Sequence, residues 1–314
     1  MADKTKIEWC DATFNPWVGC TRVSPGCVHC YAETMMDKRW GKATWGPAGA
    51  RIRTSADYWT QPVKWNRRAE RAGVRRRVFC ASLADVFEDK VGQRDQMDGW
   101  RLDLFNLIAA TPHLDWLLLT KRPENIQPLL RRLPAPHDNV GHFPNVWIGA
   151  SVEDQERADT RIPELLTVPA AVLFLSVEPL LGPVDIGRWL CGSGMTREAQ
   201  ERGIDWVIVG GESGREARPM HPDWARSIRD QCQEAGVPFF FKQWGEYAPI
   251  CDDAPMPARK APRLLTAVRA DGTRVHADDP IGQATFMWRA GKQNAGRMID
   301  GREWNEFPVT QEAA

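Results

Sequence analysis

The sequence predicts an α/β fold, a full or partial (β/α) barrel of parallel strands with a small C-terminal appendage. Three observations lead there. Short apolar runs recur without alternation, each is followed by a polar or glycine-rich turn and a helical pattern, and the alternation stops after Ala248.

The runs are Val78–Ser82, Trp116–Thr120, Val146–Ala150, Val172–Ser176, Trp206–Gly210 and Pro238–Lys242. A strand covered on both faces reads this way, because neither face needs polar residues. A first strand is expected near Phe14–Val18, and a helix near Tyr31–Arg39. Between the later runs, Asp95–Ala110 carries Trp100, Leu104, Leu107 and Ile108 at helical spacing. Pro222–Ala235 opens on proline and stops at Gly236, the usual asymmetry of a helix. Glu124–Leu133 and Asp154–Leu166 complete the set. Repeated strand–helix alternation means a parallel sheet with helical crossovers. A barrel closes such a sheet economically, and an open doubly wound sheet has the same periodicity.

Beyond Ala248, Pro249, Pro255, Pro257 and Pro262 mark a connector. Leu264–Arg269 and Thr273–His276, joined at Asp271-Gly272, read as a β-hairpin. Gly282–Arg302 is glycine-rich and basic, with a further turn at Gly301. The expected division is residues 1–248 for the barrel and 249–314 for the appendage.

Composition narrows the function. The chain has 314 residues, 43% of them hydrophobic, enough for a sizeable core and against global disorder. The formal net charge is 0, so whole-protein electrostatics favour neither nucleic acid nor an acidic membrane. No apolar run approaches the roughly 20 residues of a membrane helix. The charged start, Met1 to Trp9, lacks the apolar stretch of a signal peptide. A cytoplasmic protein without a membrane partner is expected. There the 8 cysteines stay reduced and read as metal or redox ligands rather than as a disulfide framework. Most of the 15 tryptophans are expected to serve packing.

Cys20, Cys27 and Cys30 lie in Gly19-Cys-Thr-Arg-Val-Ser-Pro-Gly-Cys-Val-His-Cys-Tyr31, spaced x6 then x2. The x2 pair suits two sulfurs on one metal centre, and Pro25-Gly26 supplies a turn that brings Cys20 round. Three thiolates on a four-iron cluster leave one iron open to a small molecule. A zinc site with His29 or a distant fourth ligand is the alternative, although zinc usually takes two spaced pairs. Three unrelated buried cysteines are a further reading, which the clustering beside Gly and Pro opposes. Cys80 falls in a strand and Cys232 in a helix, where burial as small hydrophobes is expected. Cys10, Cys191 and Cys251 have no assigned role, and the spacing leaves open whether Cys10 approaches the cluster.

The three-cysteine motif resembles the radical S-adenosylmethionine (SAM) superfamily, whose usual spacing is x3 then x2. The stretch Ile7-Glu-Trp-Cys-Asp-Ala-Thr-Phe-Asn-Pro-Trp-Val-Gly-Cys20, with the cysteines, also resembles a phage- and prophage-associated three-cysteine protein family of unassigned reaction. That similarity runs through Lys121-Arg-Pro, Ser176-Val-Glu-Pro, Gly210-Gly-Glu-Ser-Gly and Lys242-Gln-Trp-Gly to Gly301-Arg-Glu-Trp. The resemblance implies a 4Fe-4S cluster whose open iron chelates the amino and carboxylate groups of SAM. It implies reductive cleavage of SAM to a 5′-deoxyadenosyl radical, and an electron donor such as a flavodoxin or ferredoxin. A zinc-stabilised nucleic-acid- or partner-binding module without turnover is the rival, and a redox cluster protein that does not use SAM is a third.

In a (β/α) barrel the active site forms at the C-terminal ends of the strands. Polar residues follow every run: Ser82, Asp85 and Glu88; Thr120, Lys121 and Arg122; Ser151, Glu153 and Asp154; Ser176 and Glu178; Gly210, Gly211, Glu212 and Ser213; Lys242 and Gln243. Any one of these can be a helix cap or a solvated loop residue, Asp154 above all. As a set they suggest a working rim. Lys121, Glu178, Glu212 and Lys242 are the catalytic candidates. Ser82, Asp85, Ser151, Glu153, Ser176, Gly210 and Gly211 are the cofactor-binding candidates. Gly210-Gly-Glu lets backbone approach a ligand closely, and radical SAM enzymes use a similar stretch for the SAM amino group. Lys121, Arg122 and Lys242 suit a carboxylate or phosphate.

Lys64–Arg77 carries seven basic residues and one acid. It reads equally as a nucleic-acid-binding run and as a solvated helix face. Arg51, Arg53, Arg289, Lys292, Arg297 and Arg302 are candidates to extend a basic rim.

Overall fold

The computed structural model describes residues 5–190, 202–250, 265–275 and 284–309. Its main sheet has seven strands in chain order: β1 (Ala12–Thr13), β2 (Arg76–Cys80), β3 (Leu114–Thr120), β4 (Val146–Ser151), β5 (Val172–Val177), β6 (Trp206–Gly210) and β7 (Phe239–Gln243). The architecture is that of a partial (β/α) barrel. The chain divides into two compact units, Met1–Ser151 with Arg161–Phe174, and Val152–Thr160 with Leu175–Ala314.

In the first unit β1 to β4 run parallel, with Ala12 beside Val78, Val78 beside Trp116, and Leu118 beside Ile148. Every residue of β4 is buried, and so is every residue of β3 except Leu119. That is why these strands appear in the sequence as unbroken apolar runs. Helix α1 (Gln61–Ala72) precedes β2, and α2 (Arg94–Ala109) precedes β3, burying Met97, Trp100, Leu104, Phe105 and Ile108. After β3 the expected helix over 124–133 is a 3-10 turn, Pro123–Asn125, running into a short α-helix, Ile126–Leu130. Helix α3 (Gln155–Leu166) begins where Asp154 Oδ1 accepts the Arg157 amide at 3.0 Å, so Asp154 is a cap.

The first strand differs from expectation. The chain joins the main sheet at Ala12–Thr13, before Phe14, while Trp17–Val18 pairs antiparallel with Ile52–Arg53. The Phe14 amide still donates to the Phe79 carbonyl at 2.9 Å, but Pro16, two residues on, has no N–H to continue that ladder.

In the second unit β6 and β7 run parallel, and both are almost wholly buried. Helix α4 (Pro222–Ala235) lies between them in sequence. His221 caps it by accepting the Asp223 amide at 3.2 Å, and Gly236 ends it at φ +68°. After β7 comes a separate antiparallel sheet of β8 (Tyr247–Pro249), β9 (Leu265–Val268), β10 (Arg274–Val275) and β11 (Thr285–Arg289), in the order β8-β11-β9-β10. The described part of the expected hairpin pairs Ala267 with Val275 across Asp271-Gly272, and its ends, Leu264 and His276, lie outside the described residues. So do most of the connector and Cys191 and Cys251.

Trp9, Trp17, Trp116 and Trp206 are among the largest fully buried side chains, as expected of packing residues, whereas Trp40 is 49% exposed. Trp116 donates to Thr111 Oγ1 at 3.0 Å, and Trp206 to the Glu306 carbonyl at 2.9 Å. Among the described residues no helix is long and apolar enough to cross a membrane.

Candidate functional site

Within the first unit the cysteine loop starts beside the C-terminal end of β2. Gly19 forms a parallel bridge with Ala84, and its amide donates to the Leu83 carbonyl at 3.1 Å. Pro25–Cys27 makes a 3-10 turn in which the Cys27 amide donates to the Ser24 carbonyl at 2.9 Å. Cys30 stands at the start of a helix that is α over Tyr31–Glu33 and winds on as a π-helix over Thr34–Arg39. Such π segments recur at functional sites. Ala32 and Met36 pack this helix against Val18, Ala43 and Leu83, with Cys30 at the edge of the cluster.

Cys20, Cys27 and Cys30 are half-buried, free thiols. Arg122, just past β3, reaches Cys20 Sγ with Nη1 at 3.7 Å. The same nitrogen donates to Asp85 Oδ2 at 2.8 Å, and Nη2 donates to the Thr21 carbonyl at 2.6 Å. Asp85 also accepts from the Thr120 hydroxyl at 2.7 Å and from the Lys121 amide at 3.1 Å. Arg51 holds the other side of Thr21, donating to Oγ1 at 2.6 Å while forking onto both oxygens of Glu88. Two arginines and two carboxylates therefore brace the segment at Cys20 and Thr21 with balanced charge.

Burial pushes the Cys20 thiol up to about 12, against the pull of Arg122. Burial also raises Cys30, opposed by the backbone amides of Glu33 and Ala32 aimed at its sulfur. Burial opposes the charge on Arg122, but Asp85, Cys20 and Glu88 outweigh it and raise its pKa. Such thiols hold their protons until a metal replaces them. Among the described residues no group of three or more His, Cys, Asp or Glu side chains is gathered for a single ion. The thiolates of a four-iron cluster each bond a different iron and need not share one point. The donors aimed at Cys20 and Cys30, and the absence of disulfides among the described cysteines, suit thiolate ligation of a cluster.

The second unit gathers another polar set. Lys242 Nζ lies 3.1 Å from Glu178 Oε1 and 3.2 Å from Oε2. Ser176 donates to Glu178 Oε2 at 3.4 Å. A Cβ on Gly210 would stand 2.3 Å from Glu178 Oε1, so that glycine makes room for the carboxylate. A Cβ on Gly211 would stand 2.0 Å from the Trp244 carbonyl, so that glycine serves backbone packing. Glu212 is engaged by Arg218, which forks onto both its oxygens at 2.7 and 2.8 Å. Arg289 of β11 ties this loop down through the carbonyls of Gly214 and Arg215.

The predicted residues thus fall into two sets. Cys20, Asp85 and Lys121 meet in the first unit, and Ser82 joins them through its carbonyl, which accepts from Tyr31 of the cysteine loop at 2.6 Å. Ser151 is buried at the end of β4, where its carbonyl accepts from Arg161 at 2.8 Å. In the second unit Ser176, Glu178, Gly210 and Lys242 meet; Glu153 is buried, its carbonyl accepting the Leu181 amide. Sequence reasoning missed the depth of Arg51, which was read as part of an exposed rim. Its side chain is fully buried against Glu88. Arg53 likewise pairs with Asp103, and Arg289 with Glu246. Cys10 contacts the Ile7 carbonyl beside Arg77 and Asp11, before β1, at the opposite end of the strands from Cys20. Cys80 and Cys232 are buried as expected.

Among solved structures, a cysteine-to-serine variant of spore photoproduct lyase matches with a TM-score of 0.43 and 18% identity over 75% of this chain. A tyrosine-to-phenylalanine variant of the same enzyme matches with a TM-score of 0.39 and 16% identity over 70% of this chain. The chain spans 64% and 60% of those two chains. No curated protein matches it. Residues 4–308 fit the profile of the DUF5131 family, described as proteins of unknown function, and the chain belongs to that family.

Proposed function

We propose that Cys20, Cys27 and Cys30 hold a 4Fe-4S cluster and that the protein is a radical SAM-type enzyme. The observation that carries the reading is the pairing of three disulfide-free thiols on one loop with donors aimed at two of their sulfurs, Arg122 at Cys20 and two backbone amides at Cys30. When bound, such a cluster supplies one electron to the SAM sulfonium and so starts radical chemistry. The chain's own residues bind and orient. Asp85 and Arg122 fix the loop, and Lys121 stands beside them. Ser82, Asp85 and Ser151 of the first unit, and separately Glu153, Ser176, Gly210 and Gly211 of the second, are the proposed cofactor-binding residues. Glu178 and Lys242 neutralise each other, so a substrate carboxylate or phosphate on Lys242 displaces Glu178, and a substrate amine then finds Glu178 available. Glu212 keeps its proposed role only where a ligand displaces Arg218.

The proposed substrate is a nucleic acid or nucleotide. Support comes from α1, which exposes Lys64, Arg67, Arg68 and Arg71 on one face while burying Trp65 and Ala69. A flavodoxin or ferredoxin is the proposed electron donor, in the cytoplasm. The test is anaerobic reconstitution with iron and sulfide, then reduction by dithionite in the presence of SAM. A brown protein that releases 5′-deoxyadenosine is expected. Cluster assembly without SAM cleavage would leave a redox protein instead, and bound zinc without iron would leave a binding module.

A further inference from the structure

We infer that Arg122 is a positioning residue for the cluster, one that sets how readily the cluster bound through Cys20 accepts an electron. The inference rests on the cluster reading above and concerns a residue to which sequence reasoning assigned only ligand charge.

Arg122 is no ordinary surface arginine. Its side chain is 8% exposed. Asp85 Oδ2 at 2.8 Å and the Thr21 carbonyl at 2.6 Å fix the guanidinium, and Glu88 Oε1 stands 3.7 Å away. Its own amide donates to Thr120 Oγ1 at 2.9 Å, and that hydroxyl donates to Asp85. Asp85 thereby holds the residue at both ends. With these bonds made, Nη1 points at Cys20 Sγ from 3.7 Å.

Hydrogen bonds to cluster sulfurs and local charge are the main protein levers on cluster potential. One-electron uptake adds a negative charge spread over the irons and their sulfurs. A fixed N–H donor at one thiolate favours that reduced form, and more so out of water. The charged groups acting on Cys20 are Arg122, Asp85 and Glu88, and Arg51 pairs with Glu88 from its other side. Among them Arg122 is the one that donates to the sulfur. Cys30 differs, since its donors are the amides of Ala32 and Glu33, which no side-chain substitution removes. Arg122 is therefore the replaceable donor of the two.

The test compares anaerobically reconstituted wild type with Arg122→Met, Arg122→Lys and, as a distant control, Arg75→Met, whose arginine pairs with Asp115. Iron per chain, thermal stability and the midpoint potential from an EPR-monitored redox titration are read for each. Arg122→Met is expected to retain iron and shift to a more negative potential. Arg122→Lys, which keeps the charge but lacks the fork, is expected to fall between it and wild type. Arg75→Met is expected to match wild type. An unmoved potential in the iron-loaded Met and Lys variants overturns this inference alone. Loss of iron from both variants with the fold intact would assign Arg122 to assembly and also overturn it. A wild type that loads no iron removes the cluster reading itself.

Discussion

Arg51 and Glu88 lie 37 positions apart in sequence and face each other out of solvent, with Nη2 2.6 Å from Oε1 and Nε 2.6 Å from Oε2. Their side chains are 0% and 4% exposed. Arg51 also reaches the Gly49 carbonyl at 2.6 Å and Thr21 Oγ1 at 2.6 Å, so the pair ties the cysteine loop to the loop after β2.

Breaking this pair leaves an arginine buried without its counter-charge. Glu88→Gln is expected to cost about 3–5 kcal/mol, the usual penalty for removing one partner of a buried ion pair. Asp103→Asn, which breaks the exposed pair with Arg53, is expected to cost about 0–1 kcal/mol. Urea denaturation of both variants checks the contrast, and equal losses would mean the Arg51 pair is solvated.

Gly210 makes room for Glu178, so Gly210→Ala should act at a distance from its own backbone. The new Cβ drives Glu178 off Lys242. Gly210→Ala and Glu178→Gln are expected to slow SAM cleavage similarly, by about tenfold to a hundredfold, as the loss of a charged hydrogen bond implies. Turnover is compared at matched iron content, and wild-type rates in both would remove Glu178 from the site.

Burial lowers the pKa of His221, which is held neutral between the Asp223 amide and Thr285 Oγ1. Its folded pKa lies below its unfolded one of about 6.5, so its contribution to stability is complete above that value and is lost as pH falls through the folded pKa. His221→Asn keeps a capping oxygen and removes the titration. Thermal melts from pH 7 to 5 are expected to converge, wild type losing stability faster than the variant. Parallel curves would contradict this.

If α1 holds nucleic-acid phosphates through Lys64, Arg67, Arg68 and Arg71, affinity falls steeply with salt. Arg67→Glu with Arg71→Glu is expected to weaken binding uniformly across sequences and to flatten the salt slope by about one unit for each phosphate no longer held. Fluorescence anisotropy with a labelled oligonucleotide at several salt concentrations measures both. A salt-insensitive affinity would return this face to solvent.

The later strands are legible in sequence because a strand buried on both faces leaves a continuous apolar run, as in β4 and β5. The first strand is not, because hydropathy cannot say which sheet a residue joins: Trp17–Val18 is as apolar as any core strand, yet pairs with Ile52–Arg53 outside the main sheet. The cysteine spacing and the strand-end polar residues are equally visible. The bracing of Cys20 is not. Arg51 sits in a basic stretch that reads as surface, and only its partner, far along the chain, shows that it is buried. Glu212 shows the reverse limit, since nothing in Gly-Gly-Glu announces that Arg218 takes both its oxygens.

Metal analysis of anaerobically purified protein decides whether Cys20, Cys27 and Cys30 bind a cluster. About four irons per wild-type chain are predicted, with none in Cys27→Ala and the wild-type count in Cys232→Ala, whose thiol is buried in α4. Stoichiometric zinc without iron, or equal iron loss in both variants, would contradict cluster binding by these three cysteines.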